Sequence, residues 1–116
     1  MSKRVYIAGK LNGMAVEYIK NIHRTIVWGE KIRKLGYSVY IPGTDFLIGA
    51  VVGNYEYADY FENSQSWLDV SDAVFLVPGW KDSEGTKREI ARARRHGIPV
   101  FASMIKLDEE LSKDIK

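Results

Sequence analysis

The stretch SDAVFLVPGWKDSEGTKREIARARRHG, residues 71–97, decides the fold. Ala73 to Val77 is an unbroken apolar run, the mark of a strand buried on both faces, and Pro78 and Gly79 stop it. Ser83 to His96 reads as a helix closed by Gly97. Outward from this unit the same alternation repeats. Val5 to Ala8 is a short apolar strand ended by Gly9, with Gly13 four residues on. From Ala15 to Leu35 the residues Val16, Ile19, Ile22, Ile26, Val27 and Ile32 recur as one face of a helix, which Gly36 caps. Tyr37 to Ile41 reads as a second strand. Asp45, Phe46, Gly49 and Gly53 fall in a segment read as loop. Tyr57 to Val70 reads as a helix with Tyr60, Phe61, Trp67 and Leu68 on one side. Ile98 to Phe101 is the last strand, and a charged terminal helix starts at about Leu107.

Strands separated by helices pair in parallel through right-handed crossovers. The expected class is therefore α/β, a Rossmann-like (flavodoxin-like) three-layer sandwich with a four- to five-stranded parallel sheet, in one domain over residues 1–116. Ligands bind such sheets outside the carboxyl ends of the strands, where the first and third strands diverge. Two loops are expected to line that crevice, residues 9–13 and 78–86.

The composition narrows the ligand. The 116 residues carry 17 Lys and Arg against 15 Asp and Glu, a net charge of +2, which is far from the concentrated basic surface of a nucleic-acid module. With no cysteine and two separate histidines, no metal is expected, and the chemistry that follows calls for no cofactor. The opening MSKRVYI runs from charges into a strand-like stretch too short for a signal-peptide core or a membrane span, so the cytoplasm is the expected address.

Asp82, Ser83, Gly85 and Thr86 put hydroxyls and free backbone N–H groups at a helix start, which attracts anions. Ser83 can cap the helix, Gly85 lets a ligand approach the backbone, and Ser83 and Thr86 can donate to a phosphate or sugar oxygen. A capped helix without a ligand explains the same residues. Glu89 shares a face with Thr86 and Ala93, and helical side chains lean towards the N-terminus, so its carboxylate can reach back to the crevice. A solvated pair with Arg92 at i+3 is the commoner arrangement on position alone.

The segments VYIAG at 5–9, SDAVFLVPGW at 71–80 and SEGTKRE at 83–89, with GIPVF at 97–101, resemble the nucleoside 2-deoxyribosyltransferase superfamily over most of the chain, in order and spacing. The resemblance implies glycosyl transfer without metal or cofactor, with Glu89 as the nucleophile attacking the anomeric carbon and Tyr6 holding that carboxylate. Six residues before the nucleophile, members preferring free nucleosides carry an aspartate. The nucleoside 5′-monophosphate N-glycosidases carry a serine, as Ser83 is here, which can donate to a phosphate that an aspartate would repel. The expected substrate is thus a small-molecule nucleotide. Lys10 adds a positive charge in the first loop, Gly9, Asn12 and Gly13 offer backbone contact, and Asp45 with Phe46 is the candidate base pocket.

Ser64 stands eight residues before Asp72, where the family often carries the acid that assists the leaving base. Asp59, Glu62 and Asp69 lie nearby in sequence as substitutes. Hydrolysis, transfer to a second base, and a catalytically silent nucleotide-binding or sensor domain all remain open on this reading. The cytokinin-type phosphoribohydrolases also place Gly-Thr-x-x-Glu after a strand, but with a double glycine that Pro78, Gly79 and Trp80 do not supply. The aromatic residues Tyr57, Tyr60, Phe61 and Trp67 are expected to form a buried seam, and any exposed remainder argues for a homo-oligomer, dimer or tetramer. His23 and His96 read as helix-surface residues.

Overall fold

The computed structural model describes residues 2–113. Strand β1 (Arg4–Ala8) leads into helix α1 (Ala15–Arg33), then β2 (Ser38–Tyr40), α2 (Asp45–Val52), α3 (Tyr57–Asp69), β3 (Ala73–Leu76), α4 (Glu84–Arg95), β4 (Val100–Phe101) and α5 (Met104–Ser112). The strands form one four-stranded, all-parallel sheet in the order β2-β1-β3-β4. This is a Rossmann-like α/β sandwich, and the order reverses between β1 and β3, where such sheets open a crevice.

The period of two in the strands sorts the core into two layers. Val5 and Ile7 of β1 and Ala73, Phe75 and Val77 in and after β3 pack with Ile32 of α1 and Leu107 and Leu111 of α5. On the opposite face Tyr6, Ala8, Val74 and Leu76 pack with Leu68 of α3 and Ile90 and Ala93 of α4. Its parity therefore places Tyr6 on the face that α3 and α4 cover. Phe75 is fully buried, with its ring 5.5 Å from that of Trp28. Phe75→Ala is expected to cost about 3–5 kcal/mol of unfolding free energy. Urea unfolding measures it, and a loss under about 1 kcal/mol would mean that this layer is not packed as described.

Helix termini follow local chemistry. Ser83 and Ser103 cap α4 and α5 by accepting from Thr86 N and Lys106 N, and Gly36, Gly53 and Gly97 take the positive φ needed beyond a helix end. Tyr37 donates a 2.5 Å hydrogen bond to Asp108, tying α5 to the start of β2, and burial first, then Asp108, pushes its phenol up to about 12. Arg92 grips Asp69 with two 2.7 Å bonds, which joins α4 to α3.

Four expectations are corrected here. The segment carrying Asp45, Phe46 and Gly49 is helix α2 rather than loop, and only Gly53 ends it, since a lone glycine is tolerated inside a helix. The terminal helix starts at Met104, three residues before Leu107, because Ser103 caps it. The apolar stripe that revealed α1 mostly faces outward: Val16, Ile19, Ile26 and Val27 are exposed, while Asn21, Thr25, Gly29 and Ile32 meet the rest of the chain. Small size decides this, because a Cβ on Gly29 would stand 2.5 Å from Ile41 Cδ1. The buried face of α3 is Ser64, Gln65 and Leu68, and the expected seam of Tyr57, Phe61 and Trp67 is exposed.

Candidate functional site

A cleft opens at the carboxyl ends of β1 and β3. Its lining comes from Gly9, Leu11 and Asn12 after β1, from Ser83, Gly85, Thr86, Arg88 and Glu89 on α4, and from α2 and α3 across the opening. Residues 78–82 of the second expected loop lie outside this lining.

At the start of α4, the Ser83 hydroxyl accepts from Thr86 N at 3.1 Å and from Thr86 Oγ1 at 3.0 Å. Both acceptor positions of the Ser83 oxygen are filled, so its own proton is left to donate. A Cβ on Gly85 would meet only Ser83 Oγ, at 3.8 Å, so the glycine leaves the approach to the helix end open. Hydroxyls, an open backbone and the positive end of a helix macrodipole together favour an anionic group.

One turn further on, Glu89 accepts a short hydrogen bond from the Tyr6 hydroxyl. Arg92, its expected solvated partner, is engaged by Asp69 instead. Glu89 keeps part of its surface on the cleft, yet burial pushes its carboxyl up to about 7, against the opposing pull of the Tyr6 hydrogen bond and the Arg88 charge. Tyr6 is fully buried and its phenol is raised well above its ordinary value, by burial first and then by Glu89. The phenol thus stays protonated and acts as a fixed donor. The pair offers an oriented carboxylate that changes protonation near neutrality, as nucleophilic or general-base chemistry needs.

Asp45 and Phe46 stand on α2 across the opening. Asp45 is buried and accepts from the Tyr40 hydroxyl at 2.5 Å and from Asn63 Nδ2 at 3.3 Å. Burial and then that bond raise the Tyr40 phenol, which keeps it a donor. Phe46 lies 5.3 Å from the Tyr18 ring. Gly49 lies so close to Tyr60 that a Cβ there would overlap the Tyr60 hydroxyl.

Of the residues expected from the sequence, Gly9, Asn12, Asp45, Phe46, Ser83, Gly85, Thr86 and Glu89 line the cleft, with Tyr6 behind Glu89. Lys10 and Gly13 do not line it. Gly13 instead abuts its own helix start, where a Cβ would come within 2.8 Å of Glu17 Cβ. Ser64 is buried in the lining, and its hydroxyl acts on Tyr6 in the direction opposite to burial. Asp59, Glu62 and Asp69 stay outside: Asp59 closes the capping box of α3 with Glu56, Glu62 is exposed, and Asp69 holds Arg92. Asp45 is the other carboxylate on the cleft wall. Sequence reading missed Tyr18, Pro42, Gln65 and Arg88 as lining residues, and Tyr57, Tyr60 and Phe61, expected in a buried seam, line the cleft as well. Arg88 was within reach of it, since residue i+3 from Gly85 must lie over the turn that the glycine opens.

Residues 3–102 match the model of a family described as a domain of unknown function (DUF4406), and the chain belongs to that family. No curated protein matches the chain.

Proposed function

We propose that this member of the DUF4406 family is an N-glycosidase that releases the base from a nucleoside or deoxynucleoside 5′-monophosphate. The observation that carries the reading is the Glu89 carboxyl, oriented by Tyr6 and titrating near neutrality, beside an anion-attracting helix end formed by Ser83, Gly85 and Thr86. Ionised Glu89 attacks the anomeric carbon, and a C–O bond forms as the glycosidic C–N bond breaks. The electron pair leaves on the base, which takes up a proton from solvent. Water then attacks the same carbon and gives up a proton to solvent as the C–O bond to Glu89 breaks, which frees the carboxylate and gives the sugar 5-phosphate. The Ser83 proton and the α4 N-terminus hold the phosphate, and Asp45 and Phe46 face the base.

Ser64 shapes the rate. A serine hydroxyl is too weak an acid to protonate a departing base, so bases that leave easily are favoured. Completion by a second base instead of water would make the chain a nucleoside 2-deoxyribosyltransferase. The same Ser64 motivates a second reading, a silent nucleotide-binding or sensor domain that binds without turnover. Among the described residues no helix is long and apolar enough to cross a membrane. The working address is the cytoplasm, and the working form is a homo-oligomer.

The deciding experiment incubates purified protein with mixed ribo- and deoxynucleoside monophosphates and resolves the products. Free base is expected. Nucleotide binding without any base release would replace the glycosidase by the sensor reading, and neither binding nor release would end both.

A further inference from the structure

Two apolar surfaces face outward on this chain, and they carry opposite charge. Helix α2 reads DFLIGAVV, and Leu47, Val51 and Val52 are 67%, 77% and 66% exposed. Tyr57 and Phe61, at the rim of the cleft they also line, extend the surface onto α3. Between residues 41 and 70 there is no Lys or Arg, while Glu56, Asp59 and Glu62 are exposed beside the apolar face. Helix α1 presents the opposite combination. Val16 and Ile19 are 66% and 54% exposed, Ile26 and Val27 follow on the same side, and Ile19, Lys20, His23, Arg24, Val27 and Trp28 line a shallow groove.

We infer that copies of this chain associate by seating the acidic, apolar face of α2 and early α3 in the basic, apolar groove of a neighbour's α1. Three arguments favour a second copy as the occupant. The charges are complementary, with Lys20 and Arg24 in the groove and Glu56, Asp59 and Glu62 beside the face that would enter it. Taking ~150–200 Å² for each fully exposed side chain of this class, the α2 and α3 face exposes roughly 450–600 Å² and the α1 face roughly 300–400 Å². A pair in which each copy's α2 face meets the other's α1 groove buries both faces, close to the roughly 800 Å² per partner of a stable interface. A lipid surface fits poorly, because a membrane-seated helix sets Lys and Arg beside its apolar face and α2 has none.

The contact would brace two walls of the cleft, since α1 carries Tyr18 and α2 carries Asp45 and Phe46. It names the surfaces of the homo-oligomer proposed above but does not depend on the reaction, because its readout is mass rather than base release.

The test uses Ile19→Glu on α1 and Val51→Glu on α2, two exposed positions outside the cleft lining, with thermal melting to show that both variants fold. Light scattering after size exclusion at about 100 μM, a loading that populates even micromolar complexes, is expected to give wild type at twice the single-chain mass or more. Each variant alone is expected to be a monomer. An equimolar mixture is expected to form a dimer, because the intact α2 of one variant can still meet the intact α1 of the other. Monomeric wild-type protein would overturn the inference, with or without binding to anionic vesicles. So would dissociation by only one of the two substitutions, or a mixture that stays monomeric.

Discussion

Glu89→Gln is expected to abolish base release, by a factor of about 10³ or more, and at the same time to raise the thermal midpoint at pH 8. The two effects have one source. An amide keeps the oxygen that accepts from Tyr6 but is not a nucleophile, and it also lacks the charge that the fold finds costly to bury. The folded pKa of about 7 lies above the ordinary carboxylate value of 4.5. Below the ordinary value both states hold the proton and the carboxyl has no effect. Between the two values the unfolded chain releases its proton first, so wild-type stability falls as pH rises. The loss by pH 8 is on the order of 3 kcal/mol, which corresponds to roughly 10 °C in a domain of this size.

Wild type and Glu89→Gln should therefore melt together near pH 4 and diverge towards pH 8. Base release by wild type should climb through a pKa near 7, as the carboxylate forms. Melting curves that run parallel across this range would contradict the burial of the carboxylate. Undiminished base release by Glu89→Gln would remove its role as nucleophile, whatever the melting curves show.

The second large effect belongs to Ser83→Asp. An aspartate is as good a helix cap as serine, so α4 should form and the melting temperature should change little. The ligand preference should change instead. The variant replaces a donated proton by a negative charge at the site proposed for the phosphate, and two like charges about 4 Å apart near a protein surface repel by roughly 4 kcal/mol. Affinity for nucleoside monophosphates should fall by about a hundredfold or more, with that for the free nucleosides spared. Calorimetric titration with paired nucleosides and monophosphates reads the difference. An equal loss for both would show that Ser83 does not face the phosphate.

These residues were legible to different degrees. The run from Ala73 and the Ser83 cap of α4 follow from local chemistry, which is why that part of the sheet and the capped start of α4 were foreseen. The pairing of Tyr6 with Glu89 spans 83 residues and was expected only through resemblance, because no local spacing encodes it. The inward face of α1 was not legible, for a physical reason. Hydrophobic periodicity locates a helix but does not say which side meets the sheet, and here Thr25 and Gly29 face inward. Lys10 was assigned to the cleft from proximity in sequence, but the lining takes Gly9, Leu11 and Asn12 from that loop.

The contact between Gly49 and Tyr60 makes the width of the cleft a matter of one missing carbon. Helix α2 can lie against the Tyr60 ring only because residue 49 has no side chain, and Phe46 moves with that helix. A methyl at this position would push the Tyr60 hydroxyl and the α2 wall apart, and Asp45 and Phe46 would shift with that wall. Divergence at residue 49 alone could therefore change the size of base admitted and leave the chemistry at Glu89 as it was.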